Sequence, residues 1–256
     1  MLREKTVFGP IYSRRLGHSL GINLLPQEGK ICNFDCIYCE CGWNADGTAD
    51  ERIPTAAEVR AALEDKLGGL MLEGAPIDSI TFSGDGEPTL NPDFPQIVED
   101  TLFLRDTWYP KAKVSVLTNA TRVHVPEVAA ALKKVDNPIL KLDAPTDALV
   151  ALINHPAPGY SVKRVVEGMA AFEGNFILQT MFLRYPGVFD SSSPEVLNGW
   201  MEIVRRLKPR EIMAYTIDRP TPQAGLEPFT VAEMRALLQP LIDEGFAIQI
   251  KGKEMK

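Results

Sequence analysis

The sequence predicts an α/β chain built on a parallel sheet, and three observations carry that expectation. Short β-prone runs alternate with helical periodicity along the 256 residues, about six times over. No second composition regime and no repeat of fixed period interrupts that alternation. The cysteine-rich, glycine-rich and polar segments fall at predicted strand C-termini, where ligands collect in such sheets. Alternation of this kind gives parallel strands joined by right-handed crossovers. Six units are too few for a full eight-unit barrel, so a partial barrel and a flat doubly wound sheet both fit the pattern.

Taken in order, residues 1–19 read as an N-terminal arm with a turn at Gly9-Pro10. Leu20, Ile22 and Leu24 alternate as a first strand, which Pro26 ends. Thr55 and Glu58 form a capping box ahead of Val59, Ala62, Leu63, Leu67 and Leu70 at helical spacing, and Gly74 closes that helix. A strand from Ile77 to Phe82 empties into the turn Ser83 to Pro88, and a helix follows from about Pro92. Strands at Lys113–Thr118, Ile139–Leu142, Phe176–Phe182 and Ile212–Ile217 continue the rhythm. Helices are expected near Pro126, at about 146–153 and 161–173, and from Pro194. Thr230 and Glu233 make a second capping box, Gly245 ends the last helix, and Phe246–Ile250 reads as an edge strand. The expected organisation is a single domain, with a barrel-like or sheet core over 20–220 and a C-terminal helix and edge strand over 221–256.

A net charge of −7 argues against non-specific nucleic-acid binding, which comes from Lys and Arg neutralising phosphates. Arg14-Arg15 and the Lys251, Lys253, Lys256 group are the local basic candidates, and a solvated surface explains such groups more often than a ligand does. No run of about 18 apolar residues exists, so no bilayer span is expected. The charged N-terminus leads into no apolar run, so no signal peptide is expected either.

All four cysteines lie between Cys32 and Cys41. Such crowding argues against a disulfide scaffold, and a reducing cytoplasm is the expected home. Closely spaced thiolates suit zinc or an iron–sulfur cluster. A redox dithiol at Cys36 and Cys39 is the competing reading, and it leaves Cys32 without a role. Cys32, Cys36 and Cys39 at C-x3-C-x2-C spacing can each hold one iron of a 4Fe-4S cube, which leaves the fourth iron open as catalytic metal sites do. Recruiting Cys41 instead would close the site as in a structural zinc or electron-transfer centre, although its one-residue spacing from Cys39 is tight for that. The turn Ser83-Gly-Asp-Gly-Glu-Pro88 lacks the Lys-Ser/Thr pair of a phosphate loop. Its carbonyl oxygens and Glu87 suit an amino group; a plain tight turn is the alternative.

The cysteine motif, with Tyr38 before its last member, resembles the signature of the radical S-adenosylmethionine superfamily. Gly84-Asp-Gly-Glu-Pro88 is similar to that superfamily's Gly-Gly-Glu-Pro turn, with Asp85 where the first glycine is usual. Phe8-Gly-Pro10, Ser13 to Gly17, Ser19 to Ile22, Gly86 to Thr89, Leu117 to Asn119 and Lys141 to Ala144 resemble one branch. That branch is the iron–sulfur oxidoreductases related to the wybutosine-synthesising enzyme, and the likeness spans about residues 8–220. The resemblance implies a partial (βα)6 TIM-like barrel with a 4Fe-4S cluster on Cys32, Cys36 and Cys39. S-adenosylmethionine would chelate the open iron, with Ser83, Gly84, Asp85, Gly86, Glu87 and Pro88 receiving its amino group. Tyr38 would meet the adenine through its backbone, and Asn119, Asp143, Gln179, Tyr215 and Thr216 would face ribose, carboxylate or adenine.

Reductive cleavage would then give a 5′-deoxyadenosyl radical that abstracts hydrogen from a substrate, with flavodoxin or ferredoxin as electron donor. Glycyl-radical activation and synthesis of a small heterocycle are reactions that similar short barrels carry out. Arg14, Arg15, His18 and Arg219 are candidates for substrate contact. His124 and His155 lie far from each other and from His18, without ligand spacing.

Overall fold

Part of the N-terminal arm is a strand: β1 (Val7–Ser13) pairs antiparallel with β2 (Gly17–Ile22), Val7 opposite Ile22 and Ser13 opposite Gly17. The sequence concealed β1 because Gly9-Pro10 reads as a turn; it lies instead at a register irregularity between Phe8 and Ile11. The computed structural model describes residues 5–13, 16–48 and 50–252. Contacts divide the chain into two units. The first comprises Met1–Asn33, Asn44–Thr118 and Val125–Pro138; the second comprises Phe34–Trp43, Asn119–His124 and Ile139–Lys256.

In the first unit the chain continues through α1 (Ala56–Leu72), β3 (Ser79–Phe82), α2 (Phe94–Trp108), β4 (Lys113–Thr118) and α3 (Pro126–Lys134). Strands β2, β3 and β4 run parallel in that order. The expected capping box starts α1: Glu58 N–H donates to the Thr55 hydroxyl, and the Glu58 carboxylate accepts from Thr55 N–H. Such a cap is worth about 1 kcal/mol. Ile80, Phe82, Val114 and Val116 are fully buried, as are Leu63 and Leu67 of α1 and Phe94 and Val98 of α2.

The opposite face of this sheet is polar. Ser19 and Thr81 hydroxyls lie 2.7 Å apart, Thr81 and Ser79 3.0 Å, and Ser79 and Ser115 2.9 Å. Asn137 Nδ2 donates to Ser115 Oγ at 3.0 Å and closes the chain. Alternation along β3 produces both faces: Ile80 and Phe82 point one way, Ser79 and Thr81 the other.

The second unit takes the chain from the end of β5 (Asn137–Lys141) through α4 (Asp147–Asn154), α5 (Val162–Ala170), β6 (Ile177–Tyr185) and β7 (Phe189–Asp190). It continues through α6 (Pro194–Leu207), β8 (Glu211–Thr216), β9 (Glu227–Pro228), α7 (Val231–Asp243) and β10 (Ile248–Lys251). Strands β5, β6, β8 and β10 pair in parallel in that order, while β7 and β9 flank the far end of β6 as antiparallel additions. Two-residue strands of that kind leave no periodicity to read.

Trp200 of α6 fixes the helix-covered face. Its indole N–H lies 3.2 Å from Leu142 O and 3.1 Å from the Thr180 hydroxyl, and its ring meets Phe182 edge-on. Thr180 and Phe182 therefore point at α6, and by alternation Gln179 and Met181 point the other way. The second capping box, Thr230 with Glu233, starts α7 as expected.

Candidate active site

In the first unit the turn after β3 is held by the two segments that flank it. Asn23, one residue past β2, is buried. Its Oδ1 accepts from Asp85 N–H at 3.2 Å and from Leu25 N–H at 3.2 Å, while its Nδ2 donates to Pro26 O at 3.2 Å and Asp85 Oδ2 at 3.3 Å. Asp85 is wholly buried. Its carboxylate therefore turns inward to Asn23, which explains how an acidic residue stands where a glycine is usual.

The segment leading into Cys32 lies along the same turn as a parallel β-bridge. Ile31 N–H donates to Asp85 O at 3.2 Å, and Glu87 N–H donates to Ile31 O at 3.0 Å. This approach requires glycine. A Cβ on Gly86, whose φ is +137°, would fall far inside contact distance of Ile31 O, and one on Gly84 would strike Asn23 Oδ1. Beyond the bridge, Asn44 Nδ2 donates to Cys32 O at 3.1 Å. Glu87 is buried, and its Oε1 accepts from Thr89 N–H at 3.0 Å, from the Thr89 hydroxyl at 2.5 Å and from the Thr118 hydroxyl at 2.6 Å. Three donors on one oxygen lock the carboxylate in place. Pro88, also buried, opens a 3-10 turn that Glu87 caps.

In the second unit the loop 34–43 docks on the C-terminal end of α4. Asp35 N–H donates to Asn154 O at 2.9 Å and Ile37 N–H to Ile153 O at 3.0 Å, using carbonyls that a helix end leaves without internal partners. Cys39 N–H returns to Cys36 O at 3.0 Å and Gly42 N–H to Cys39 O at 3.1 Å, so the loop winds tightly about these cysteines. Gln223 N–H donates to Ile37 O at 3.2 Å. At the ends of the loop, Phe34 meets Tyr160 edge-on at 5.2 Å, and Trp43 stacks on His155 at 6.0 Å.

Under that loop lies a buried polar network. Asn154 Nδ2 sits 3.3 Å from Cys36 Sγ, 2.9 Å from the Tyr38 hydroxyl oxygen and 2.8 Å from Asp143 Oδ2. The Tyr38 hydroxyl donates to Asp143 Oδ2 as well. Lys141 Nζ stands 3.5 Å from Asp143 Oδ2, 3.8 Å from Cys36 Sγ and 4.5 Å from the centre of the Tyr38 ring. Met181 N–H donates to Asp143 Oδ1 at 2.9 Å. Burial pushes the Cys36 thiol upward, against the opposing pull of Lys141 and the Asn154 amide. Burial by itself would lower the Lys141 pKa, but Asp143 and Cys36 carry it well above its ordinary value, so the ammonium stays charged. Tyr38 is pushed well up by burial and by Asp143, and stays protonated.

The predicted site residues that are described divide between the two units. Cys32 belongs to the first unit with the turn 83–88; Cys36 and Cys39 belong to the second with Tyr38, Asp143, Asn119, Gln179, Tyr215 and Thr216. Cys36, Tyr38 and Asp143 come together directly, and Tyr215 is near enough to act on the charges of Tyr38 and Lys141. Asp143 was expected to meet S-adenosylmethionine, yet its side chain is fully buried with both oxygens accepting hydrogen bonds inside the unit. The Thr216 side chain is likewise held inside the unit. Its hydroxyl donates to Phe182 O at 2.7 Å and accepts from Phe229 N–H at 2.9 Å, on the helix-covered face.

Asn119 Oδ1 caps a turn, accepting from Thr121 N–H at 3.0 Å and the Thr121 hydroxyl at 2.7 Å. Gln179 lies opposite Lys141 in the β5–β6 register. Arg219 pairs with Glu40 of the cysteine loop at 2.6 Å, both side chains being exposed. His18 pairs with exposed Asp78 at 2.9 Å. Arg14 and Arg15, like Lys253 and Lys256, lie outside the described residues.

Lys141, Asn154, Asn23 and Thr118 were not marked as site residues by the sequence. Lys141 and Thr118 carried a signal, as members of the Lys141 to Ala144 and Leu117 to Asn119 segments. Among the described residues no three His, Cys, Asp or Glu side chains form a ready-made site for a single metal ion. The donors around Cys36 nonetheless fit an iron–sulfur group: an amide N–H and an ammonium aimed at sulfur suit a thiolate ligand.

Residues 29–198 match the model of the Radical SAM superfamily. A UPF0026 protein of Methanocaldococcus jannaschii is 31% identical over 226 residues, 86% of this chain and 66% of that protein. The chain thus spans just under two thirds of that relative's length. Among solved structures, SuiB of Streptococcus suis bound to S-adenosylmethionine superposes with a TM-score of 0.62 at 16% identity, over 88% of this chain and 49% of that one. TYW1 with a lysine–pyruvate adduct superposes at 0.58 and 14% identity, over 89% and 74%. These likenesses establish the fold, α/β of the radical SAM partial (βα)6 TIM-like barrel type; the link to wybutosine synthesis is one of fold alone. Among the described residues no helix is long and apolar enough to cross a membrane.

Proposed function

The chain belongs to the radical SAM superfamily, and from that premise we propose that it is a hydrogen-abstracting enzyme whose 4Fe-4S cluster sits on Cys32, Cys36 and Cys39. The observation that carries the reading is the C-x3-C-x2-C loop with two N–H donors, from Asn154 and Lys141, beside its central sulfur. When bound, the cluster and S-adenosylmethionine supply one-electron cleavage to methionine and a 5′-deoxyadenosyl radical, which takes a hydrogen atom from substrate. The work of the chain's own residues is to hold and to orient. Gly86 lets the turn 83–88 approach the segment before Cys32 and Gly84 lets it lie against Asn23, and its main-chain oxygens would receive the methionyl amino group. Asp85 and Glu87 stiffen that turn through Asn23, Thr89 and Thr118. Tyr38 offers its backbone to the adenine, while its ring and hydroxyl anchor the loop on Asp143. Gln179 and Tyr215, on the sheet face turned away from α6, would meet ribose or substrate in this assignment, together with Asn119.

In this reading residues 1–256 act as one catalytic core in the cytoplasm, reduced by a flavodoxin or ferredoxin. The substrate class stays open between a glycyl-radical partner protein and a small heterocycle precursor. The net charge of −7 disfavours a tRNA. The test is anaerobic reconstitution with iron and sulfide, followed by reduction and assay of 5′-deoxyadenosine. Wild-type protein is expected to release it, and Cys36→Ala is expected to release none. A fully reconstituted, reduced protein that leaves S-adenosylmethionine intact would sink the proposal.

A further inference from the structure

We infer that Asn154 and Lys141 are positioning residues that set the electron affinity of the cluster through Cys36 Sγ. The inference rests on the reading of Cys36 as a cluster ligand, and it goes beyond it by naming what controls that ligand.

Asn154 is buried at the last position of α4, and its main-chain carbonyl already anchors the cysteine loop through Asp35 N–H. Its side chain points back at three acceptors. Two of them fix the orientation of the amide, because neither a carboxylate oxygen nor a thiolate sulfur can donate a proton. The NH2 end therefore faces Asp143 and Cys36. Only two hydrogens serve three acceptors, and the Tyr38 hydroxyl proton is already given to Asp143. The Tyr38 oxygen is the acceptor that loses nothing by being left to a weaker share. One N–H goes to the Asp143 carboxylate and the other to Cys36 Sγ, at 2.8 and 3.3 Å.

Lys141 adds a full positive charge 3.8 Å from the same sulfur, held there by Asp143 on one side and the Tyr38 ring on the other. Reduction adds one electron to the cluster and so one negative charge near Sγ. A fixed amide dipole and a fixed ammonium in a buried site both stabilise that charge, and hydrogen bonds to cluster sulfurs raise reduction potentials. Asp143 acts in the opposite sense, and its proximity to Lys141 tempers the cation without cancelling it. The arrangement makes the cluster easier to reduce by a weak physiological donor than a bare three-cysteine loop would be.

The measurement is the cluster midpoint potential, by anaerobic redox titration of the reconstituted chain 1–256. Asn154→Leu and Lys141→Met each remove one donor at similar volume. Both are expected to move the midpoint negative, Lys141→Met by at least a tenfold change in the reduced-to-oxidised ratio, about 59 mV for one electron. His155→Asn removes the Trp43 stack at the edge of the same loop without touching the sulfur, and is expected to keep the wild-type potential. Either donor variant alone decides the matter if the other fails to fold. Midpoints for both within error of wild type, or a shift in His155→Asn as large as theirs, would overturn the inference. Should neither donor variant hold the cluster, the Fe–S stretching bands of wild type in D2O against H2O decide, and unchanged bands overturn it. A wild-type protein that takes up no cluster is a different result: it removes the cysteine assignment and this inference together.

Discussion

The two units solve the same problem, fixing polar groups in a buried sheet face, with opposite chemistry. In the first unit that face carries a chain of neutral hydroxyls from Ser19 through Thr81 and Ser79 to Ser115, closed by the Asn137 amide, whose N–H donates to Ser115. In the second it is ionic: Lys141, Asp143, Tyr38 and Cys36 are tied by one asparagine amide. Neutral ladders are satisfied pairwise, so losing one rung leaves its neighbours partners to turn to. A buried ion pair has no such reserve, because removing one charge strands the other. The first unit therefore sets geometry, through close backbone approaches, and the second sets electrostatics.

That contrast fixes an order of expected effects. Asp143→Ala is expected to be the most damaging, about 3–5 kcal/mol, because Lys141 is left buried without its counter-charge. Urea denaturation followed by far-UV circular dichroism measures it, and a loss no larger than that of a ladder variant would erase the distinction between the units. Next comes Gly86→Ala, where a positive φ and the Ile31 carbonyl both oppose the new methyl group. About 2–3 kcal/mol is expected from strain and overpacking. Unlike the Asp143 change, it should cost the same at low and high salt, since no charge is involved. Ser115→Ala should be mildest, about 1 kcal/mol in the same titration, the net worth of a neutral hydrogen bond. A cost above that of Gly86→Ala would mean that the ladder, and not the glycine contact, sets the geometry of the first unit.

Much of this was legible in the sequence, for reasons that differ from element to element. The two capping boxes, Thr55 with Glu58 and Thr230 with Glu233, are local chemistry and were readable as such. Six parallel strands and the last edge strand follow from hydrophobic runs bounded by turns. Strand β1 was hidden by Gly9-Pro10, since a strand bearing a bulge shows the signature of a turn. The cysteine loop and the turn 83–88 were visible because their residue types are rare and crowded.

The residues around them were not. Asn154 reaches Cys36 across 118 positions and Lys141 across 105. An asparagine at a helix end has an ordinary local explanation that conceals a distant one. Asp143 and Thr216 show the other side of the same limit: polar residues at strand ends suggest ligand contact, yet strand ends also leave backbone groups that need internal partners. Met181 N–H and Phe229 N–H claimed those two side chains.

The bridge between Ile31 and Gly86 has a consequence for how freely this protein can change. Its two hydrogen bonds use only main-chain atoms, so the register that sets Cys32 beside the turn is indifferent to the side chain at position 31. Only proline, which lacks the N–H given to Asp85 O, is barred there. Position 86 is the reverse, open to glycine alone. Substitutions can thus accumulate on one partner of the bridge while the other stays fixed, and a saturation library over both positions should return nearly every residue at 31 and one at 86.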